Sequence, residues 1–326
     1  MYRVGIIGCG NISAVHAQVL EKLENTKLVC CADVIPERAA RYGAAAYTDW
    51  REMLEKERPD AVHICTPHYL HPVMAEAAAE RGIAVFTEKP PAIDAAGWET
   101  VKRAAALVPA GVCFQNRYHP HIGACRRFLE DGTYGRLLGI RGFVTWNRTK
   151  AYYDAADWKG SWKTEGGGVM INQAIHTLDL IIGFLGMPEQ AEMTIASHRL
   201  RGDVEVEDTA EIYLRRGDVP ALMYASNGYS TDAPVMIELH LEKAVIRLEG
   251  DVMTLIRDGR REEILCETDP ALGRSYWGAG HLACIADFYR CMETGAAYGN
   301  APEKCEHTMR TLLKMYEESR PRFSGT

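Results

Sequence analysis

The chain has no apolar run near the roughly 18 residues that a membrane-crossing helix needs. Its most hydrophobic stretch, Val169 to Leu185, is interrupted by Asn172, His176 and Asp179. There is no basic block either. With a net charge of −7, nucleic acid and anionic membrane are not expected as main partners. No charged and apolar leader precedes the first apolar strand, so a cytoplasmic protein is expected. Ten cysteines are present, yet none forms a Cys-x-x-Cys pair. Cys30, Cys31, Cys65, Cys113 and Cys284 lie in apolar segments, as small buried hydrophobes do, and reduced thiols are expected. His68-x-x-His71 and His119-Pro120-His121 offer nitrogen pairs without a completing acid or thiol cluster, so no metal is expected. Internal repeats and low-complexity segments are lacking.

What is present begins at once. A length of 326 residues suggests two domains, and 47% hydrophobic with 25% charged residues is ordinary for a globular chain. Val4-Gly5-Ile6-Ile7 is an apolar strand running into the turn Gly8-Cys9-Gly10-Asn11-Ile12-Ser13, and Asp33 closes a second apolar strand, Leu28 to Ala32. Gly8 permits a tight turn, and Gly10 has no Cβ to obstruct a pyrophosphate. Small Ser13 lets the helix approach the sheet. Phosphates then rest on free N–H groups at the positive helix end. Asp33 stands 20 residues beyond Ser13, where an acid accepts hydrogen bonds from the adenosine ribose. A dinucleotide is therefore expected. The carboxylate repels a 2′-phosphate and Val34 follows it, so NAD is favoured over NADP, with Arg38 the residue that would reach such a phosphate.

Strands and helices alternate as far as residue 118. Strands are expected at Tyr2–Ile7, Leu28–Ala32, Ala61–Cys65, Ala84–Thr87 and Val112–Gln115, with helices at Val15–Leu23, Met74–Arg81 and Ala95–Leu107. Continuous apolar strands separated by helices indicate a parallel, doubly wound α/β sheet that gathers ligands at its strands' carboxyl ends. From 119 to 326 the pattern becomes period two, as at Leu138, Ile140, Gly142, Val144 and Trp146, or Val235, Ile237, Leu239 and Leu241. Further strands at Thr209–Arg215, Ala221–Ser226, Ala244–Glu249 and Met253–Arg257 give a large, mostly antiparallel open sheet. Helices near 168–185, 279–294 and 302–318 would cover one face. The other is apolar enough to join subunits.

Two segments carry candidate chemistry. Glu88-Lys89-Pro90-Pro91 follows the fourth strand, where a lysine can contact a substrate hydroxyl and share its proton. Glu165-Gly166-Gly167-Gly168 opens an apolar helix whose Asn172, His176 and Asp179 fall on one face by spacing. The glycines would let backbone approach a ligand. Asp179 reads as structural. Trp146, Tyr152, Tyr153, Trp158 and Trp162 are interleaved with Arg148, Lys150, Lys159 and Lys163. Aromatic faces suit a sugar ring, and the cations suit hydroxyls or a carboxylate; a loop anchored by tryptophans is the alternative.

Gly8-x-Gly10, Asp33, Thr66-Pro67-x-x-x-His71, Glu88-Lys89-Pro90, Arg117 and Gly166-Gly167-Gly168 with His176-x-x-Asp179 together resemble the Gfo/Idh/MocA oxidoreductases. The resemblance implies an N-terminal Rossmann NAD-binding domain over 1–118 and a C-terminal α/β substrate and oligomerisation domain over 119–326, assembling as a homodimer or homotetramer through its sheet. It implies hydride transfer between nicotinamide and a hydroxyl-bearing carbon of a sugar, sugar derivative or cyclic polyol. By position, Lys89 matches the family's catalytic lysine and His176 its acid/base histidine, with Asn172 placing the hydroxyl. Asn11 and Ile12 extend the phosphate turn, while Thr66, Pro67, His71, Glu88 and Asn116 surround the nicotinamide half. Arg117, Trp158 and Trp162 fall on the substrate side. One position departs: relatives commonly carry aspartate four residues before the histidine, where this chain has Asn172. An amide hydrogen-bonds but cannot stabilise an imidazolium by charge. Alternative functions are an NAD-dependent glycoside hydrolase working by transient oxidation and elimination, and a non-catalytic NAD-binding regulator.

Overall fold

The computed structural model describes residues 1–265 and 280–323. In chain order, the first elements are β1 (Tyr2–Ile7), α1 (Asn11–Lys22), β2 (Thr26–Ala32), α2 (Pro36–Ala39), β3 (Ala45–Tyr47), α3 (Trp50–Glu57), β4 (Ala61–Ile64), α4 (His71–Ala79), β5 (Ala84–Thr87), α5 (Ala95–Ala105) and β6 (Ala110–Val112). There follow α6 (Pro120–Glu130), β7 (Leu137–Thr145), α7 (Lys150–Asp154), α8 (Val169–Asn172), α9 (Ile175–Leu185), β8 (Gln190–Ala196), β9 (Thr209–Arg216), β10 (Val219–Ser226), β11 (Met236–Leu241), β12 (Val245–Glu249), β13 (Val252–Arg257) and β14 (Arg260–Leu265). The last are α10 (Gly280–Thr294) and α11 (Pro302–Ser319). Position 279, where a helix was expected to start, lies outside the described residues. Among these, no helix is long and apolar enough to cross a membrane.

Two compact units emerge. The first is Met1–Phe114 with His281–Glu306, and the second is Gln115–Gly280 with His307–Thr326. The sequence reading drew one cut after 118 and did not foresee the return of His281–Glu306. Buried Asn300 explains that return: its side-chain amide donates to the Phe114 carbonyl at 3.0 Å, and its own carbonyl accepts from Val112 N–H at 2.9 Å. Tyr298 and Phe288 fill the space over Gly111, where a Cβ would meet them at 2.7 and 3.0 Å.

The first unit has a six-stranded parallel sheet in the order β3-β2-β1-β4-β5-β6. The order reverses beside β1, so the crevice at the carboxyl ends of β1 and β4 is the expected ligand site. Its strands are apolar because helices cover both faces: Ile7, Cys30, Val62, Ile64 and Val85 share a core with Met74, Ala75 and Ala78 of α4.

The second unit carries an eight-stranded sheet in the order β14-β13-β12-β11-β7-β10-β9-β8. Every neighbouring pair is antiparallel except β7 with β10. Helix α9 presses on the sheet at Gly142, where a Cβ would come 2.8 Å from Ile181 and 3.3 Å from Thr177. The one helix expected over 168–185 is two. Ala174 N–H reaches back to the Val169 carbonyl at 2.8 Å, a wide turn that ends α8. Gln173, which keeps helical dihedrals, caps α8, and its side chain donates to the Tyr152 hydroxyl and accepts from Asn227, each at 3.1 Å. Asn172 and His176 therefore sit on separate helical segments, and their sequence spacing does not define a shared face.

Candidate active site

The glycine turn of the first unit does what its residue types allow. Gly8 has φ +88°, and a Cβ there would lie 2.8 Å from the backbone of Cys65 and from the side chain of Thr66. A Cβ on Gly10, by contrast, would meet nothing within 4 Å. The packing of the protein does not itself require glycine at position 10. Gly10 caps α1 without a side-chain bond to the first N–H groups, leaving them for an anion. Ser13 donates to the Gly10 carbonyl at 2.5 Å and meets the Tyr42 hydroxyl at 2.7 Å. The Asp33 carboxylate accepts from Cys9 N–H at 2.8 Å and from Ile35 N–H at 2.9 Å, which fixes it at the mouth of the turn. Exposed Asn11 and half-buried Ile12 begin α1, and Arg38 is exposed on α2.

Thr66 and Pro67 follow β4, and Lys89 follows β5, half-buried between buried neighbours. Fully buried His71 joins these two loops, with Nδ1 2.7 Å from the Pro90 carbonyl and Nε2 2.8 Å from the Thr66 carbonyl. Burial pulls its pKa down while the two carbonyls pull the other way. His71 thus shapes this edge rather than offering a nitrogen to a cofactor.

The Glu88 carboxylate turns inward. It lies 2.9 Å from His16 Nε2, His16 Nδ1 is 2.8 Å from His63 Nδ1, and His63 Nε2 is 2.9 Å from the Tyr289 hydroxyl. An ionised carboxylate only accepts, so His16 holds its proton on Nε2. Burial opposes the Glu88 charge, but the bond from His16 and the nearby His281 and Lys89 outweigh it and hold the pKa well below its ordinary value. Burial and His16 keep His63 far below the usual imidazole range. Glu88 also accepts from the Lys89 backbone N–H at 3.2 Å. Its part in this site is to fix the lysine-bearing segment. His16, Glu88 and Cys113 bring ligand-type atoms within 4.8 Å of one another, a set in which His16 and Glu88 are already hydrogen-bonded.

In the second unit, His176 opens α9 half-buried, with Nε2 3.5 Å from the Gln115 amide nitrogen. Asn116 is buried and its Oδ1 has no hydrogen-bond partner, an orphaned acceptor of the kind that a bound group satisfies. Arg117 makes a two-point ion pair with Asp179, Nε to Oδ2 at 2.7 Å and Nη2 to Oδ1 at 2.5 Å, and Thr308 donates to the same carboxylate at 2.6 Å. That guanidinium holds α9 in place; it is not presented to a substrate. Trp162 packs edge-on against Tyr316 and Phe323 beneath Arg320, so it anchors its loop. Trp158 remains half-exposed, with Lys159 Nζ 5.9 Å from its ring. Arg148 is paired with Asp232 at 2.9 Å and Lys150 with Asp154 at 2.7 Å, so neither awaits an acidic ligand. His119 and His121 pack on Asp251.

The glycine run serves packing. A Cβ on Gly167 would overlap the Tyr316 hydroxyl, and one on Gly168 the Glu207 carbonyl oxygen. Glu207, which sequence reasoning passed over, is fully buried and starts α8: its carboxylate accepts from Gly168 N–H at 2.9 Å, Met170 N–H at 3.2 Å and the Tyr316 hydroxyl at 2.6 Å. Glu165 is equally buried and accepts from Asn172 Nδ2 at 2.6 Å and Gly160 N–H at 2.5 Å. Burial pushes both acids up to about 7.

A switch-point glycine turn with a fixed acid is the arrangement of a dinucleotide-binding unit. The model described as "Oxidoreductase family, NAD-binding Rossmann fold" matches residues 2–115, and that of the "GFO/IDH/MocA C-terminal domain" matches 122–247. The chain belongs to the Gfo/Idh/MocA family and is an NAD-binding oxidoreductase. It is similar to inositol 2-dehydrogenase of Rhizobium meliloti (strain 1021), 26% identical over 259 residues, 76% of each chain. It also resembles scyllo-inositol 2-dehydrogenase (NAD(+)) of Bacillus subtilis (strain 168), 28% identical over 72% of this chain and 71% of that one. The WlbA dehydrogenase of Bordetella pertussis, solved with NADH and UDP-GlcNAcA, superposes with a TM-score of 0.84 at 27% identity, covering 98% of this chain and 96% of that one.

The raised Glu207 pKa has a consequence for stability. The folded state holds its proton up to about pH 7, the unfolded state only to about 4.5. The folded form binds more protons between these values, so this group's stabilisation is present below 4.5 and lost as pH rises through 7. The melting temperature of Glu207→Gln should fall less than wild type between pH 5 and pH 8; parallel slopes would contradict the assignment.

Proposed function

We propose that the protein is an NAD-dependent dehydrogenase of a sugar, sugar derivative or cyclic polyol. The observation that carries this reading is the open space at Gly10 beside a fixed Asp33, with Lys89 displayed on the same unit's loop after β5. Family membership and the printed activities of the inositol dehydrogenases support it. Bound NAD supplies the hydride acceptor. Gly8, Gly10, Asn11 and Ile12 seat its phosphates and Asp33 its ribose; the Thr66–His71 and Lys89–Pro90 loops with Asn116 border the nicotinamide half. Lys89 and His176 carry the hydroxyl proton away, and Asn172 orients the hydroxyl. Nine described cysteines are free, buried thiols, which suits a reducing cytoplasm.

The outer face of the second unit's sheet suits a second copy of the chain. Strand register aligns Arg247, Glu238, Arg141, Leu222, Tyr213 and Glu192 in one row across six strands. Buried Glu238 is surrounded by Arg141, Arg247 and His240, leaving that half basic, while Glu192 and Glu211 make the other half acidic. Phe143 and Leu222, 39% and 57% exposed, lie between. A two-fold axis parallel to the strands sets each basic half against its partner's acidic half.

Two measurements test these readings. Purified protein should reduce NAD with a member of a polyol and sugar panel, and Lys89→Ala should lower kcat by about 100-fold or more while NAD affinity changes little. Equal losses in both would contradict the role of Lys89, and glycoside cleavage without NADH accumulation would favour the hydrolase alternative. In sedimentation, wild type should run as a dimer or tetramer and Leu222→Asp as a smaller species; an unchanged Leu222→Asp assembly would refute the sheet contact.

A further inference from the structure

Two buried histidines brace Lys89, one on each side, and one of them belongs to the helix behind the glycine turn. On the far side, His71 Nδ1 lies 2.7 Å from the Pro90 carbonyl. On the near side stands Glu88, whose two oxygens have separate tasks. Oε1 lies 2.9 Å from His16 Nε2, and Oε2 accepts from the Lys89 N–H at 3.2 Å. The His16 ring cannot turn without losing a partner, because its Nδ1 is 2.8 Å from His63 Nδ1. His63 is held in its turn by Tyr289, with Nε2 2.9 Å from the hydroxyl and the rings stacked at 5.9 Å. His16, His63 and Tyr289 are fully buried, so this brace is built into the core of the first unit. His16 also lies little more than one turn into α1, whose opening N–H groups are left for an anion.

We infer that His16 is a positioning residue for the reaction proposed above: through Glu88 it fixes the backbone from which Lys89 projects, and it ties that backbone to the helix that seats the phosphates. The inference rests on that dehydrogenase reading. An apolar residue at 16 leaves Glu88 a buried carboxylate short of one donor, a costly arrangement that the side chain relieves by turning or by taking up a proton. A carboxylate that turns no longer holds the Lys89 N–H, and the ammonium loses its fixed origin. The Cys113 thiol, His281 and Lys89 itself also face Glu88, so the loss of His16 loosens the segment without abolishing its anchorage. Replacing both members of the pair by apolar groups removes the buried charge and its cost together, but it does not restore the bond to Lys89.

The test uses the full chain and three variants: His16→Leu, His16→Gln, and His16→Leu combined with Glu88→Met. His16→Leu should melt lower than wild type and exchange the Lys89 amide hydrogen faster. With NAD and polyol saturating it should lose about 100-fold in kcat, the cost of a small misplacement, while NAD affinity and polyol KM change little. His16→Gln keeps a side-chain donor for Glu88 and should regain most of that loss. The combined variant should melt near wild type yet keep the low kcat of His16→Leu. Recovery of kcat together with melting would make the pair structural alone and overturn the inference. Lys89 exchange or kcat in His16→Leu equal to wild type would overturn it too, as would His16→Gln no better than His16→Leu. Should His16→Leu fail to fold, the combined variant supplies the same comparison of kcat and exchange. If wild type turned over no panel member, the dehydrogenase reading would fall, while Lys89 exchange would still decide whether His16 holds that segment.

Discussion

The contact between the Asp33 carboxylate and the Cys9 N–H underlies the rest of this structure. It ties the carboxyl end of β2 to the glycine turn that ends β1, beside the point between β1 and β4 where the strand order reverses. The second oxygen accepts from Ile35 N–H, so the carboxylate cannot swing away from the crevice. Gly8 closes the turn because only a residue without Cβ passes the backbone of Cys65. The open space at Gly10 then has a defined neighbour: a fixed negative charge on one side and unpaired N–H groups of α1 on the other. Such a site discriminates by charge. On the proposed reading, a diphosphate takes the helix end and a neutral diol the acid.

Three buried carboxylates organise the segments that carry the candidate residues, each by accepting hydrogen bonds. Glu88 is held by His16 and in turn holds the Lys89 backbone. Glu207 gathers the N–H groups at the start of α8. Glu165 takes the Asn172 amide and the Gly160 N–H. Their titration differs because their partners differ. Glu88 has an imidazole donor and a cationic neighbour, which stabilise its charge. For Glu165 and Glu207 burial dominates: Glu165 accepts from Gly160 and Asn172 with Lys159 nearby, Glu207 from Gly168, Met170 and Tyr316, and the Glu207 charge also raises Glu165. Motifs read as ligand contacts, the glycine run and the Glu88 side chain among them, serve this internal scaffolding.

How much of this was legible in the sequence follows from the range of the interactions. The strand, turn, helix and acid at the amino terminus obey local rules, and β1 and β5 fall on Tyr2–Ile7 and Ala84–Thr87 as read. The half-buried alternation marked β7 and β11 within a residue or two. Short or exposed elements escaped: β3 spans three residues, and α3 buries only Met53 and Leu54, although its Asp49 cap was there to be read. Glu207 was invisible because its partners Gly168 and Tyr316 are 39 and 109 residues away. His16 and His63 lie in apolar segments 47 residues apart, and nothing in either segment announces the other. Gln173, at the break between α8 and α9, accepts from Asn227, a partner 54 residues downstream. Arg117 and Asp179 were both singled out, yet that they bond each other was not foreseen.

The central claim is that Asp33 fixes both the presence and the kind of dinucleotide. Calorimetric titration of the purified wild-type protein with NAD and with NADP measures this directly. The account predicts a saturable NAD site and NADP binding weaker by about tenfold or more, since the carboxylate opposes a 2′-phosphate. NADP binding as tight as NAD, or tighter, would contradict it.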